Sequence, residues 1–217
     1  MIPARSARSP AAPRIWSRLA DLMSPPPRPR VGALILAAGD SRRMGRPKAL
    51  LTLSGRTFLE ILLDRFAQAG VAPILVVLGL AAEEIRNVVK LSLARVVVNP
   101  DPSRGQLSSI HCGLDALAPG EVDALFIAPV DTPRVRVATL QKMTEGLSAH
   151  PLVVPVHQGK RGHPVLFSAS LFPALKQAPF YQGARAVVHA TPDRLDLPCD
   201  DPAVLEDFDA PGQLPPR

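Results

Sequence analysis

Residues 39–48 place Arg42, Arg43, Arg46 and Lys48 around two glycines, Gly39 and Gly45. Small residues let the backbone approach a ligand closely and aim free N–H groups at anionic oxygens. Arginine and lysine add charge-assisted hydrogen bonds to phosphate. The chemistry suited to this segment is phosphate binding, and a solvated basic turn is the plain alternative. It is neither of two common phosphate loops, because it lacks both G-x-G-x-x-G and G-x-x-x-x-G-K-[ST].

Three further groups carry polar chemistry. Asp131 directly follows the apolar run 123–129, with Pro133 stiffening the turn. A carboxylate at the end of a buried strand suits a hard divalent cation such as Mg²⁺, which takes one or two carboxylates plus substrate phosphates. Its other reading is an N-cap for a helix at 135–147. Gly105, Ser108 and Ser109 open a helix, where N–H groups and hydroxyls suit a ribose, a base edge or a phosphate. Arg161 and His163 sit in a polar hairpin turn, which by itself reads as a basic turn with His163 satisfied by backbone. The acidic tail, Glu206, Asp207 and Asp209, reads by itself as solvated surface, and His111 and Cys112 read as structural residues in mid-helix.

The elements that must position these groups follow from periodicity. Val31 to Leu36 is a continuous apolar run, as in a strand buried on both faces. Runs at 73–79, 94–99 and 123–129 repeat the pattern. Between them, Thr57 caps a helix with Phe58, Leu59, Leu62, Leu63 and Phe66 on one face, and helices follow at 81–90, 106–118 and 137–147. Residues 152–156 and 164–167 read as a β-hairpin, with helices at 168–177 and 183–190. Strands alternating with helices imply an α/β fold: one three-layer, doubly wound, Rossmann-like and mostly parallel sheet. Ligands in such a sheet bind across the carboxyl ends of the strands, which brings the loops at Gly39, Gly79, Gly105 and Asp131 to one crevice.

Composition narrows the function classes. The chain has 217 residues, 47% of them hydrophobic, and a net charge of +6. Residues 1–30 hold six arginines and one aspartate, so +5 of that charge lies in an Arg/Pro-rich extension expected to be disordered, with one domain at 31–217. The basic balance is therefore no argument for nucleic acid. The longest apolar stretch, 71–82, is 12 residues, short of the roughly 20 that span a bilayer. Cys112 and Cys199 have no metal-ligand spacing, and a reducing cytoplasmic setting is the expectation.

Residues 36–48, Leu-Ala-Ala-Gly-Asp-Ser-Arg-Arg-Met-Gly-Arg-Pro-Lys, match L-A-A-G-x-S-x-R-M-G-x-P-K without a gap. That string resembles the nucleotide-binding loop of the MobA-like NTP transferases, the molybdenum cofactor cytidylyl- and guanylyltransferases. Weaker similarities run through Gly105–Ser109 (G-M-S-S-S), Val130–Pro133 (C-D-x-P), residues 159–167 (G-x-R-G-H-P-V-L-F) and residues 206–211 (E-D-I-D-T-P). Gly183-Ala184-Arg185 matches the end of G-D-x-G-A-R, but Phe180-Tyr181-Gln182 lacks its Gly-Asp.

The resemblance implies a nucleotide-diphospho-sugar transferase type of fold, with the small hairpin serving the acceptor. It implies Mg²⁺-dependent transfer of a nucleoside monophosphate from an NTP, CTP before GTP, to a phosphorylated acceptor of molybdopterin type. Arg43, Lys48 and Asp131 would be catalytic. Leu36, Ala37, Ala38, Gly39, Ser41, Gly79, Gly105 and Ser108 would join Arg43 and Lys48 around the nucleotide. Asp131 would hold the metal with Asp209, or with Asp207 as second choice. Arg161, His163 and Arg185 would meet the acceptor, and a molybdoenzyme or maturation partner would receive the product. Sugar 1-phosphates and other phospho-alcohols remain open as acceptors. The rivals are a non-catalytic accessory protein that binds a cofactor and a dinucleotide-dependent oxidoreductase, the latter disfavoured by the missing G-x-G-x-x-G.

Overall fold

Val31–Ala37 forms β1, buried along its whole length and hydrogen-bonded on both edges. The computed structural model describes residues 28–39 and 45–208. The expected extension as far as residue 27, together with Ser41, Arg43 and Asp209, lies outside the described residues.

After β1 come a short hairpin, β2 (Thr52–Leu53) and β3 (Arg56–Thr57), and helix α1 (Phe58–Gln68). Then follow β4 (Ile74–Leu78), α2 (Ala82–Val88), β5 (Arg95–Val98), α3 (Gln106–Asp115), β6 (Ala124–Pro129) and α4 (Val137–Gly146). The last part holds β7 (Leu152–His157), β8 (Lys160–Arg161), β9 (Val165–Ser168), α5 (Phe172–Gln177), α6 (Arg185–Ala190) and β10 (Arg194–Pro198). The sheet order is β10-β7-β9-β6-β1-β4-β5, with β8 on the end of β7. Only β9 and β8 run against the rest.

Alternation along β1 divides the core. Ala33 and Ile35 face a layer built on Phe58, Leu62 and Phe66 of α1, Ile85 of α2 and Met143 of α4. Leu34 and Leu36 face Leu107 and Ile110 of α3, Leu175 of α5 and Val187 of α6. Helices on both faces of a mostly parallel sheet make the fold doubly wound, as the periodicity implies. The Thr57 cap is a full capping box: Thr57 Oγ1 accepts from Glu60 N, and Glu60 Oε2 accepts from Thr57 N.

The hairpin differs in detail from the expected one. β7 pairs with β9 only through Leu152 and Val153, while its far end turns at Gln158-Gly159, both at positive φ, to pair with β8. β10 forms an edge strand parallel to β7, where the sequence reading has no strand.

At the amino end of the sheet Arg30 clamps Asp123 with its backbone N–H and its guanidinium. Those hydrogen bonds, with the guanidinium charge, lower the Asp123 pKa to about 2. A depressed folded-state pKa means that the unfolded chain takes up the proton first as pH falls. The stabilisation is therefore complete above about pH 4 and lost towards pH 2. The melting-temperature difference between wild type and Asp123→Asn should accordingly be constant from pH 5 upward and shrink between pH 4 and 2.

Candidate active site

The carboxyl ends of β1, β4, β5 and β6 lie side by side, and their loops build one crevice. After β1, Ala38 is buried and Gly39 exposed. Gly79, following β4, packs so closely beneath Ala38 that a Cβ there would strike the Ala38 carbonyl oxygen. A cavity of about 310 Å³ opens between these loops, lined by Ala38, Gly39, Pro47, Leu80–Ala81 and residues 100–103. Leu36 and Ala37 lie within the strand ladder, where Leu36 O accepts from Val130 N. Thus Ala38 and Gly39, not the two residues before them, border the cavity.

Lys48 begins a 3₁₀ turn anchored by buried Ala49 and Leu50. Its ammonium lies 2.7 Å from Asp131 Oδ2 and 3.4 Å from Asp207 Oδ1. The side chains of Lys48 and Asp131 are only 16% and 17% exposed, so this pair is shielded from bulk water. The turn carrying Asp131 is fixed from both sides: Val130 N donates to Leu36 O, and Thr132 Oγ1 donates to Pro129 O. One ammonium between two carboxylates marks a point where two hard oxygen donors converge on a cation. That donor set fits Mg²⁺ or Mn²⁺, which bind through one or two carboxylates with phosphates completing the shell.

Asp207 reaches this point because the segment 199–208 is strapped across the sheet end. Asp201, 1% exposed, accepts from Arg136 N and Thr139 Oγ1 and so caps α4 from outside that helix. Val204 O accepts from His163 N, and Gly162 lies so near that oxygen that no Cβ would fit. Phe208 packs on Phe58 with ring centroids 5.0 Å apart.

The remaining expected residues separate. Gly105 caps α3 with φ +90°, a conformation that favours glycine. Ser108 is turned inward: its hydroxyl accepts from Asn99 Nδ2 and donates to Gly105 O, tying β5 to α3. Arg161 forms a bidentate pair with Asp196 of β10 at 2.9 and 2.6 Å. His163 stands beside the carboxylate cluster. Its crowded surroundings hold its pKa below the ordinary value, the Asp131 charge acts the other way, and Arg185 lowers it further. By surface area His163 is an exposed residue. Leu80 and residues 100–103 carry no sequence signature of a site, and only the cavity reveals them.

The sequence pattern of the MobA-like NTP transferase domain matches residues 33–195. The chain belongs to that family. It is 33% identical to nicotine blue oxidoreductase of Paenarthrobacter nicotinovorans over 86% of this chain and 95% of that protein. It is 25% identical to the molybdenum cofactor cytidylyltransferase of Escherichia coli over 85% and 93%. Among solved structures, Rv0371c of Mycobacterium tuberculosis superposes with a TM-score of 0.76 at 30% identity, covering 84% of this chain and 94% of that one. The same protein in complex with manganese gives 0.66 at 28% identity, covering 79% and 88%. The MobA-like fold and family are those of nucleotidyltransferases, which generally use divalent metals. No helix among the described residues is long and apolar enough to cross a membrane.

Removing the ammonium takes the cation from beside Asp131, whose side chain is only 17% exposed, while Asp207, 60% exposed, stays largely in water. Lys48→Met should cost roughly 1–3 kcal/mol, which a melting curve in metal-free buffer reads as a loss of about 2–4 °C per kcal/mol. Millimolar Mg²⁺ should restore part of that loss, whereas no recovery would argue against a cation site at Asp131.

Proposed function

We propose that the chain transfers a nucleoside monophosphate from an NTP to a phosphorylated acceptor. An acceptor phosphate oxygen attacks the α-phosphorus, the bond to the β-phosphate oxygen breaks, and pyrophosphate leaves with the bonding electron pair. The observation that carries this reading is the convergence of Lys48, Asp131 and Asp207 beside the Ala38–Gly39 cavity. Such a reaction asks for positioning and charge neutralisation rather than covalent help from the protein.

In this reading the Ala38–Gly39 backbone borders the base and ribose, and Arg43 neutralises the β- and γ-phosphates. Lys48 holds the α-phosphate and the attacking oxygen in line. Asp131 and Asp207, with Asp209 as an alternative partner, would hold Mg²⁺. When bound, the metal neutralises the phosphate oxygens. His163, beside the carboxylate cluster, offers a hydrogen bond to the incoming acceptor. CTP is the favoured donor and GTP the next, with a molybdopterin-type acceptor, supported by the similarity to the Escherichia coli cytidylyltransferase. Sugar 1-phosphates are the other acceptor class.

One observation favours a second reading. The relative at 33% identity is named an oxidoreductase and is matched over 95% of its length. That reading predicts consumption of NADH or NADPH with an electron-accepting dye and no pyrophosphate, while an accessory protein predicts ligand binding with neither. For the transferase, Asp131→Ala should lower pyrophosphate release by on the order of 10²–10³, the scale of losing one preorganised stabiliser. A variant with wild-type turnover removes Asp131 from the mechanism.

A further inference from the structure

Asp131 and Asp207, the two carboxylates of the crevice, are tied together twice. One tie is the Lys48 ammonium between them, at 2.7 and 3.4 Å. The other runs through their neighbours. Arg134, three residues after Asp131, lies 3.3 Å from Oε1 of Glu206, the residue before Asp207. Glu206 has an extended backbone, with φ −69° and ψ 136°, so its side chain and that of Asp207 diverge. One side chain thus pins the strap to the turn after β6, and the next meets Lys48.

An ion pair in open water would hold little, but this one is half sheltered. The Glu206 side chain is 24% exposed, and its Oε2 is buried without a hydrogen-bond partner among the described residues. A carboxylate so placed depends on the guanidinium charge beside it. Without that charge it is better solvated turned outward, and the strap moves with it. The anchorage on the other side is firm. Pro133 and Val135 are buried on either side of Arg134, and Arg136 N donates to Asp201 Oδ2 at 2.9 Å.

The two ties differ once the crevice is loaded. In the transferase reading, on which this inference rests, Lys48 turns to the α-phosphate, and the carboxylates face a divalent cation instead of its ammonium. The first tie is then given up. The second involves neither the ammonium nor the two carboxylates, so it persists. We propose that Arg134 and Glu206 are a positioning pair that keeps Asp207 facing Asp131 for the cation. Neither side chain touches the metal or the nucleotide in this assignment.

The test is Mn²⁺ binding by the full chain without nucleotide, read from the loss of the free-ion electron paramagnetic resonance signal. Charge and positioning predict different signs. Acting through charge alone, Arg134→Gln would tighten Mn²⁺ binding by removing a positive charge, and Glu206→Gln would weaken it. Positioning requires both to weaken it, on the order of tenfold, the scale for outer-shell partners of metal ligands. The variant Arg134→Lys keeps the charge and should stay close to wild type, and the double variant should lose no more than either single one. Opposite signs, or a wild type that binds no Mn²⁺ sensitive to Asp131→Ala, would overturn the pair. So would a lower melting temperature with unchanged Mn²⁺ affinity, the mark of a purely structural ion pair. The NTP-dependent melting shift with Mg²⁺ reports the transferase reading separately. If wild type shows that shift while both variants bind Mn²⁺ as wild type does, the pair fails and the reading stands. If both bind more weakly and no nucleotide shifts wild type, the pair stands and the reading fails.

Discussion

β1 is hydrogen-bonded to β4 on one edge and β6 on the other, in register from Ala33 to Leu36, and the site depends on that arrangement. Parallel neighbours end on the same side, so the loops after Ala37, Leu78 and Pro129 emerge together. Every residue of β1 is buried, so a one-residue slip would move Ile35 and Leu34 into the wrong layers and displace all three loops at once. The close stacking of Gly79 under Ala38 and the Val130–Leu36 hydrogen bond belong to the same register. Chemistry at the strand ends thus inherits its precision from packing in the middle of the sheet.

The segment 199–208 supplies the second constraint. It returns from the edge strand β10 and is fastened at three places of different character: Asp201 as a cap on α4, Val204 against Gly162 and His163, and Phe208 on Phe58. Between the last two fastenings Asp207 meets Lys48. The acidic tail, which alone reads as solvated surface, brings Asp207 to Lys48 because buried contacts on both sides fix its path.

What the sequence disclosed follows the range of the interactions involved. β1, the Thr57 cap and the turn around Asp131 are written in adjacent residues. β10 is not, because Arg-Leu-Asp-Leu-Pro is a charged, half-buried edge whose strand state comes from pairing with β7, 42 positions earlier. The position of Arg161 was hidden for the same reason, since its partner Asp196 arrives only with β10. Ser108 looked like a ligand hydroxyl, but buried Asn99 turns it inward. Leu80 and residues 100–103 border a cavity through shape, which has no motif.

The most direct measurement of the central claim is thermal melting with CTP, GTP, ATP and UTP, each with and without Mg²⁺, on wild type and Asp131→Ala. At about 100 times its Kd a nucleotide adds roughly 2.7 kcal/mol of stability. The account predicts a shift for at least one nucleotide, largest for CTP, that requires both Mg²⁺ and the Asp131 carboxylate. A shift of the same size in Asp131→Ala, or no shift with any nucleotide in wild type, would contradict it.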